Sequence, residues 1–164
     1  MDNLRAPKAP KHWDQRFLVV ASHFAGWSKD PSTKVGAVAV RNRRILAQGY
    51  NGLPSGVSDS EARLMDRETR LAMTVHAEAN CICHAANNGV SLIGSTIYVW
   101  PLMTCSHCAS LLIQAGIVKV VVPNFVEPQR WQDSFELART MFIEAGVSVS
   151  RIPMSGPINP MEEE

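Results

Sequence analysis

Residues 96–122 read TIYVWPLMTCSHCASLLIQAGIVKVVV, and this stretch decides the fold. Thr96–Trp100 is β-branched and aromatic, which predicts a strand. A loop carrying Pro101 follows, and the spacing predicts a helix over Cys105–Ala115 with Gly116 as its stop. Val118–Val122 is apolar apart from Lys119, the composition of a strand covered on both faces. Strand, helix and strand in that order imply a parallel pair joined by a crossover.

The pattern repeats outward. Trp131–Ala145 is an amphipathic helix and Val147–Ile152 a last strand. Upstream, His76–Asn87 predicts a buried helix ended by Asn88–Gly89, and Asp59–Leu71 an exposed one. Val35–Val40 and Ile45–Tyr50 are two short strands around Asn42–Arg44, a hairpin. Asn51–Gly52 and Pro54–Gly56 form a loop. Trp13, Phe17, Val20, Phe24 and Trp27 recur at helical spacing, and Lys29–Ser32 ends that helix. The expected architecture is α/β: three layers, α/β/α, around a mixed five-stranded sheet.

A chain of 164 residues makes one domain. We assign 1–12 to an N-terminal tail, 13–152 to the domain and 153–164 to a C-terminal tail. A net charge of +1 argues against non-specific attraction to nucleic acid or acidic membranes. No apolar run reaches the roughly 20 residues of a spanning helix, so no membrane partner is expected. Met1–Lys11 has no hydrophobic signal segment, which places the expected location in the cytoplasm. In that reducing compartment Cys81, Cys83, Cys105 and Cys108 are better read as thiols or metal ligands than as disulfides.

Cys105 and Cys108 are three apart at a predicted helix start, so both sulfurs face one side. His76 opens another helix and completes a three-ligand zinc site with one position left for water. Glu78 is not needed as a ligand. Two thiolates neutralise Zn2+, so the water still needs a base, which Glu78 supplies. A structural site of four cysteines is disfavoured because Cys81 and Cys83, two apart, face different ways. Cys81 reads as core, Cys83 and His84 as helix surface or as supports behind the ligands, and His107 as a solvent-facing turn. His12 and His23 have no partner ligands.

His76–Ala77–Glu78 and Cys105-x-x-Cys108 resemble the signature of the zinc nucleobase deaminases. Asp30–Ala37, Gly49–Pro54 and Leu112–Ile117 are similar to segments of the deoxycytidylate (dCMP) deaminases, and the likeness covers residues 13 to 150. It implies a cytidine deaminase-like fold and one Zn2+ per chain, held by His76, Cys105 and Cys108, with Glu78 as the catalytic proton shuttle. The implied reaction is hydrolytic deamination of a free pyrimidine nucleotide, dCMP to dUMP plus ammonia. Asn51 would hold the sugar, and Ala77 lies beside the substrate in the motif. Lys34 reads as a phosphate contact or a solvated lysine. Trp100 reads as a base-stacking ring or a core residue. Homo-oligomers up to hexamers, and dCTP or dTTP as effectors, are known among such relatives.

Thr104 stands where the family has proline, and one extra residue separates Tyr98–Val99 from Cys105. This loop lies beside the base, so the substrate can differ. Alternatives are a deaminase of CMP, ring-modified dCMP, guanine or tRNA adenosine, or a non-catalytic zinc-stabilised subunit. Between Leu53 and Val75 there is no cysteine or histidine, so no second zinc is expected. Glu61, Arg63, Asp66, Arg67, Glu68 and Arg70 fill that stretch, as a solvated face or a phosphate or subunit contact.

Overall fold

Two glycines set how closely helices approach the sheet. A Cβ on Gly36 would lie 2.0 Å from the Ala21 carbonyl oxygen, and one on Gly49 would lie 2.4 Å from the Ala77 carbonyl oxygen. Helix backbone therefore packs directly on strand backbone, one helix on each face. The computed structural model describes residues 11–154. Its helices are α1 (Lys11–Ala25), α2 (Glu61–Met65), α3 (Arg67–Met73), α4 (Ala77–Asn87), α5 (Ser106–Gln114) and α6 (Gln132–Glu144). Its strands are β1 (Gly36–Arg41), β2 (Arg44–Tyr50), β3 (Thr96–Trp100), β4 (Lys119–Pro123) and β5 (Ser148–Ile152). A 3-10 turn, Gln129–Trp131, leads into α6.

The strands form one sheet in the order β2-β1-β3-β4-β5. β1 is antiparallel to β2 and β3, and β3, β4 and β5 are parallel. This is the expected mixed sheet. The β1–β2 turn holds Asn42 and Arg43 at φ 53° and 61°, the left-handed pair that matches strand twist in a two-residue hairpin. Residues 1–10 and 155–164, assigned to tails, lie outside the described residues; Lys11 and His12 belong to α1.

Side chains alternate along the strands. Ala37, Ala39, Ile97, Val99, Val120 and Val122 share a core with α4, α5 and α6. Val38, Val40, Tyr98, Trp100, Val121 and Ile152 pack with Phe17, Leu18, Ala21 and Ala25 of α1. The three layers follow. The Tyr98 hydroxyl donates to Asp14 Oδ1 at 2.8 Å and Lys119 Nζ to Asp14 Oδ2 at 3.1 Å, which ties α1 to the sheet.

Two expectations need correction. α1 ends at Ala25 rather than at Lys29–Ser32, and of the apolar series Phe17 is buried beside Leu18, Ala21 and Ala25 while Trp13, Val20 and Phe24 pack partly buried against them. Trp27 lies past the helix end, is 54% exposed, and packs edge-on against Phe24 and Tyr50. The single helix expected over 59–71 is two, because Asp66 turns extended and caps α3, accepting from Glu68 N at 3.1 Å and Thr69 N at 3.4 Å.

Candidate active site

His76 and Cys105 occupy equivalent places in the fold. Each is the extended residue just before a helix, His76 before α4 and Cys105 before α5, so each side chain projects beside the helix start. Cys108 lies one turn into α5, and its N–H donates to Cys105 Sγ at 3.5 Å. The two helix starts meet on the same face of the sheet. His76 Nδ1 is 3.5 Å from Cys105 Sγ and 3.4 Å from Cys108 Sγ. Tetrahedral zinc, with Zn–S of about 2.3 Å and Zn–N of about 2.0–2.1 Å, sets nitrogen and sulfur about 3.5–3.6 Å apart. The donor set and its spacing fit zinc. Among the described residues, no other group of three such side chains converges.

The electrostatics favour metal uptake. Hydrogen bonds from Cys108 and His76 pull the Cys105 thiol down to about 4. The same Cys105–Cys108 contact, together with burial, pushes Cys108 up, so the pair shares one proton until a cation replaces it. His76 is raised by its bond to Cys105. Cys81 is fully buried in the core, and burial pushes its thiol up to about 12, so it stays protonated and apart from the ligands. Cys83, His84 and His23 are exposed, and so is His107, as expected.

Glu78, in the first turn of α4, is 4% exposed. Burial and then the Cys105 charge raise its carboxyl above the usual range, and its own backbone N–H, His76 and the Thr104 hydroxyl oppose that only in part. Thr104 is wholly buried, and its Oγ1 makes no well-formed hydrogen bond. It stands beside the Glu78 carboxyl.

A cavity of about 310 Å³ contains this group. His76, Ala77, Glu78 and Cys105 line its floor; Leu102, Met103, Trp131 and Phe135 make an apolar wall; Asn51, Thr33 and Val35 make another. The lengthened loop before Cys105 thus forms part of the site. Trp131 stacks on Phe135 with centroids 6.3 Å apart and ring planes 17° apart. Arg67 and Arg130, both exposed, reach the cavity from α3 and the 3-10 turn. Arg70 also lines it but is buried: Nη2 donates to Ser32 Oγ at 3.0 Å, Nη1 donates to the Leu64 carbonyl, and Nε lies 3.4 Å from Asp30 Oδ2.

Asn51 lines the cavity with its side chain partly committed. Its Nδ2 donates to the Thr33 carbonyl and its Oδ1 accepts from Val35 N–H, both at 2.8 Å, so it clamps the 33–35 segment against the sheet. For two further residues, each given two readings, the placement favours the one without a substrate contact. Lys34 does not line the cavity, because Thr33 and Val35 on either side of it do and the extended chain alternates. Trp100 is on the α1 face of β3, 5% exposed and packed against Phe125 at 5.0 Å, away from the ligands. Arg67 and Arg70, expected either as a solvated face or as a phosphate or subunit contact, both line the cavity, and so do Arg130, Trp131 and Phe135, which were not among the expected site residues. The adjacent Arg130 and Trp131, just before an amphipathic helix, were the available signal.

A family model of the cytidine and deoxycytidylate deaminase zinc-binding region matches residues 11–124. A relative from Aliivibrio fischeri, an uncharacterized deaminase in the luxG 3' region, is 42% identical over 144 residues, spanning 87% of this chain and 95% of the relative. Human deoxycytidylate deaminase is 37% identical over 147 residues, spanning 83% and 77%. Among solved structures, the dCMP deaminase of cyanophage S-TIM5 in complex with dCMP and dUMP aligns with a TM-score of 0.70 at 28% identity, covering 86% of this chain and 97% of that one. The family match runs from the start of α1 to just past β4 and takes in His76, Glu78, Cys105 and Cys108, so the chain belongs to the cytidine and deoxycytidylate deaminase family.

Proposed function

We infer that this protein is a zinc-dependent hydrolase that converts dCMP and water to dUMP and ammonia. One observation carries the reading: the buried Glu78 carboxyl shares a cavity with His76 and Cys105, whose donor atoms converge with Cys108 Sγ, below a rim bearing Arg67 and Arg130. The human and cyanophage relatives, named for dCMP deamination, support it. Zinc, when bound, supplies Lewis acidity that brings the pKa of water down to about 7.

The remaining steps belong to the chain's own groups. Glu78, which burial makes avid for protons, takes one from the attacking water and delivers it to the ring nitrogen beside the amine-bearing carbon. A C–O bond forms at that carbon and the C–N bond breaks. The water's second proton leaves with the amine, as ammonia. At the start of α4 the Ala77 N–H has no intrahelical partner, and we assign it to the carbonyl of the base. The second N–H of Asn51 is assigned to the sugar. Trp131 and Phe135 take the place beside the base, and Trp100 takes the core reading given for it. Arg67 and Arg130, rather than Lys34, take the 5′-phosphate.

The four cysteines are unbridged, which supports a reducing, cytoplasmic setting. No described helix is long and apolar enough to cross a membrane. Self-association, and control by dCTP or dTTP, belong to the same reading, and the exposed Met65 and Ile143 support the former.

Ammonia release by zinc-loaded protein from dCMP, CMP, deoxycytidine and guanine tests this directly. Turnover of dCMP at least about tenfold above deoxycytidine is expected from a charge-assisted phosphate contact. Equal turnover of both would overturn phosphate recognition. No ammonia from any cytosine compound would overturn the deamination itself.

A further inference from the structure

The wall that carries Arg130 is held by an ion-pair network outside the metal site. After β4 the chain runs through Asn124–Pro128 before the 3-10 turn that presents Arg130 and Trp131 to the cavity. Val126 in this segment is 96% exposed, so its side chain gives no apolar hold. The segment is attached at three points: Asn124 N–H donates to the Ile152 carbonyl at 2.9 Å, and two side chains hold the rest. Phe125 packs on Trp100, and the Glu127 carboxylate is gripped by two arginines.

That grip joins three elements. Arg139 Nη2, from α6, donates to both Glu127 oxygens at 2.6 and 2.7 Å. Arg151 Nη2, from β5, donates to Glu127 Oε1. Arg139 Nη1 also pairs with Glu136, within its own helix. The Glu127 side chain is only 15% exposed. The turn itself is closed by Trp131 N–H donating to the Pro128 carbonyl at 3.0 Å, so the anchored residue is next to the one on which the turn is built.

We propose that Glu127 is a positioning residue for substrate recognition: its pairs with Arg139 and Arg151 fix the Asn124–Pro128 segment, and so hold Arg130 where the substrate phosphate binds. The proposal rests on the nucleotide reading above. Glu127 touches neither substrate nor metal ligands. Its loss leaves the ligands and Glu78 in place and lets Arg130 occupy the rim for only part of the time, so KM rises rather than kcat falling.

The test is steady-state kinetics of zinc-loaded Glu127→Gln, Arg130→Gln and the double variant with dCMP. Glu127→Gln is expected to raise KM about tenfold with kcat within about twofold, and to add little to Arg130→Gln, since residues acting through one contact are non-additive. Arg151→Met, which leaves the Glu127–Arg139 pair intact, should shift KM in the same direction by less and serves if Glu127→Gln does not fold. An unchanged KM in Glu127→Gln, a fall in kcat without a rise in KM, or fully additive effects would each overturn the proposal. If Arg130→Gln raises KM while Glu127→Gln does not, the phosphate assignment stands and only the positioning role fails. If Arg130→Gln itself leaves KM unchanged, both fail.

Discussion

Cys105 Sγ stands 3.5 Å from His76 Nδ1 although 29 residues separate them in the chain. Their meeting depends on α4 and α5 both starting at the same end of the strands, each from an extended residue. Anything that displaces either helix from the sheet displaces half of the metal site.

Gly49 is where α4 can be displaced. A Cβ there would lie 2.4 Å from the Ala77 carbonyl oxygen and 2.5 Å from Cys81 N, both backbone atoms that cannot step aside. Gly49→Ala should cost about 1–3 kcal/mol, the range for overpacking, and weaken zinc retention with it. Gly52→Ala, with nothing within 4 Å, is the matched control. Urea denaturation of both variants, with zinc content measured alongside, checks this. Equal stability of the two would contradict the close-approach argument.

The metal donors make a second expectation. One zinc per chain should be found, and Cys108→Ser should abolish it. Cys81→Ala should keep it, because that thiol is a buried core group held near pKa 12. Elemental analysis after gel filtration decides the point. Loss of zinc from Cys81→Ala, with Cys108→Ser retaining it, would mean a different ligand set.

Arg70 and Asp30 join α3 to the segment that lines the cavity. Their side chains are 7% and 10% exposed, and Asp30 Oδ1 also accepts from the N–H groups of Ser32 and Thr33 at 2.8 and 3.0 Å. Arg70→Ala leaves the carboxylate buried without its partner and should cost about 3–5 kcal/mol. Because Thr33 and Val35 line the cavity, kcat/KM for dCMP should fall too. A melting midpoint unchanged from the parent chain would show that the pair does not hold this segment.

Stability should also report on Glu127 through pH. Burial alone would raise its carboxyl, but the hydrogen bonds and charges of Arg139 and Arg151 outweigh burial and lower it from the ordinary 4.5. A carboxyl lowered in the folded state contributes stability that is complete above its unfolded pKa and is lost as pH falls through the folded one. The stability gap between the parent chain and Glu127→Gln should thus be constant near neutrality and narrow below about 4.5. Denaturation of the metal-free proteins across that range measures it. A gap independent of pH would mean that the charge of Glu127 is not what holds the loop.

Much of the arrangement was legible in the chain, for reasons that particular residues make plain. Cys105 and Cys108 share a side because helical geometry demands it, and the β-rich runs around Asn42–Arg44 leave little besides a hairpin. Trp100 was not legible. Ile97–Trp100 is buried on both faces, so no polar alternation marks which residues point to which side. Part of the buried face of α1 was hidden for a related reason: Gly36 admits helix backbone, so the small Ala21 and Ala25 face the sheet beside Phe17. Arg130 and Trp131 carry no motif. Only the β4-to-α6 connection brings them to a site whose other residues lie far upstream.

The most direct test is the rate of dCMP deamination by Glu78→Gln, measured beside its zinc content. The substitution keeps shape and removes the base, so one zinc per chain should remain while kcat falls by about 10²–10⁴ or more, the scale of general acid–base catalysis. Turnover at the parent rate with zinc fully bound would contradict Glu78 as the proton carrier, and with it the chemistry assigned to this site.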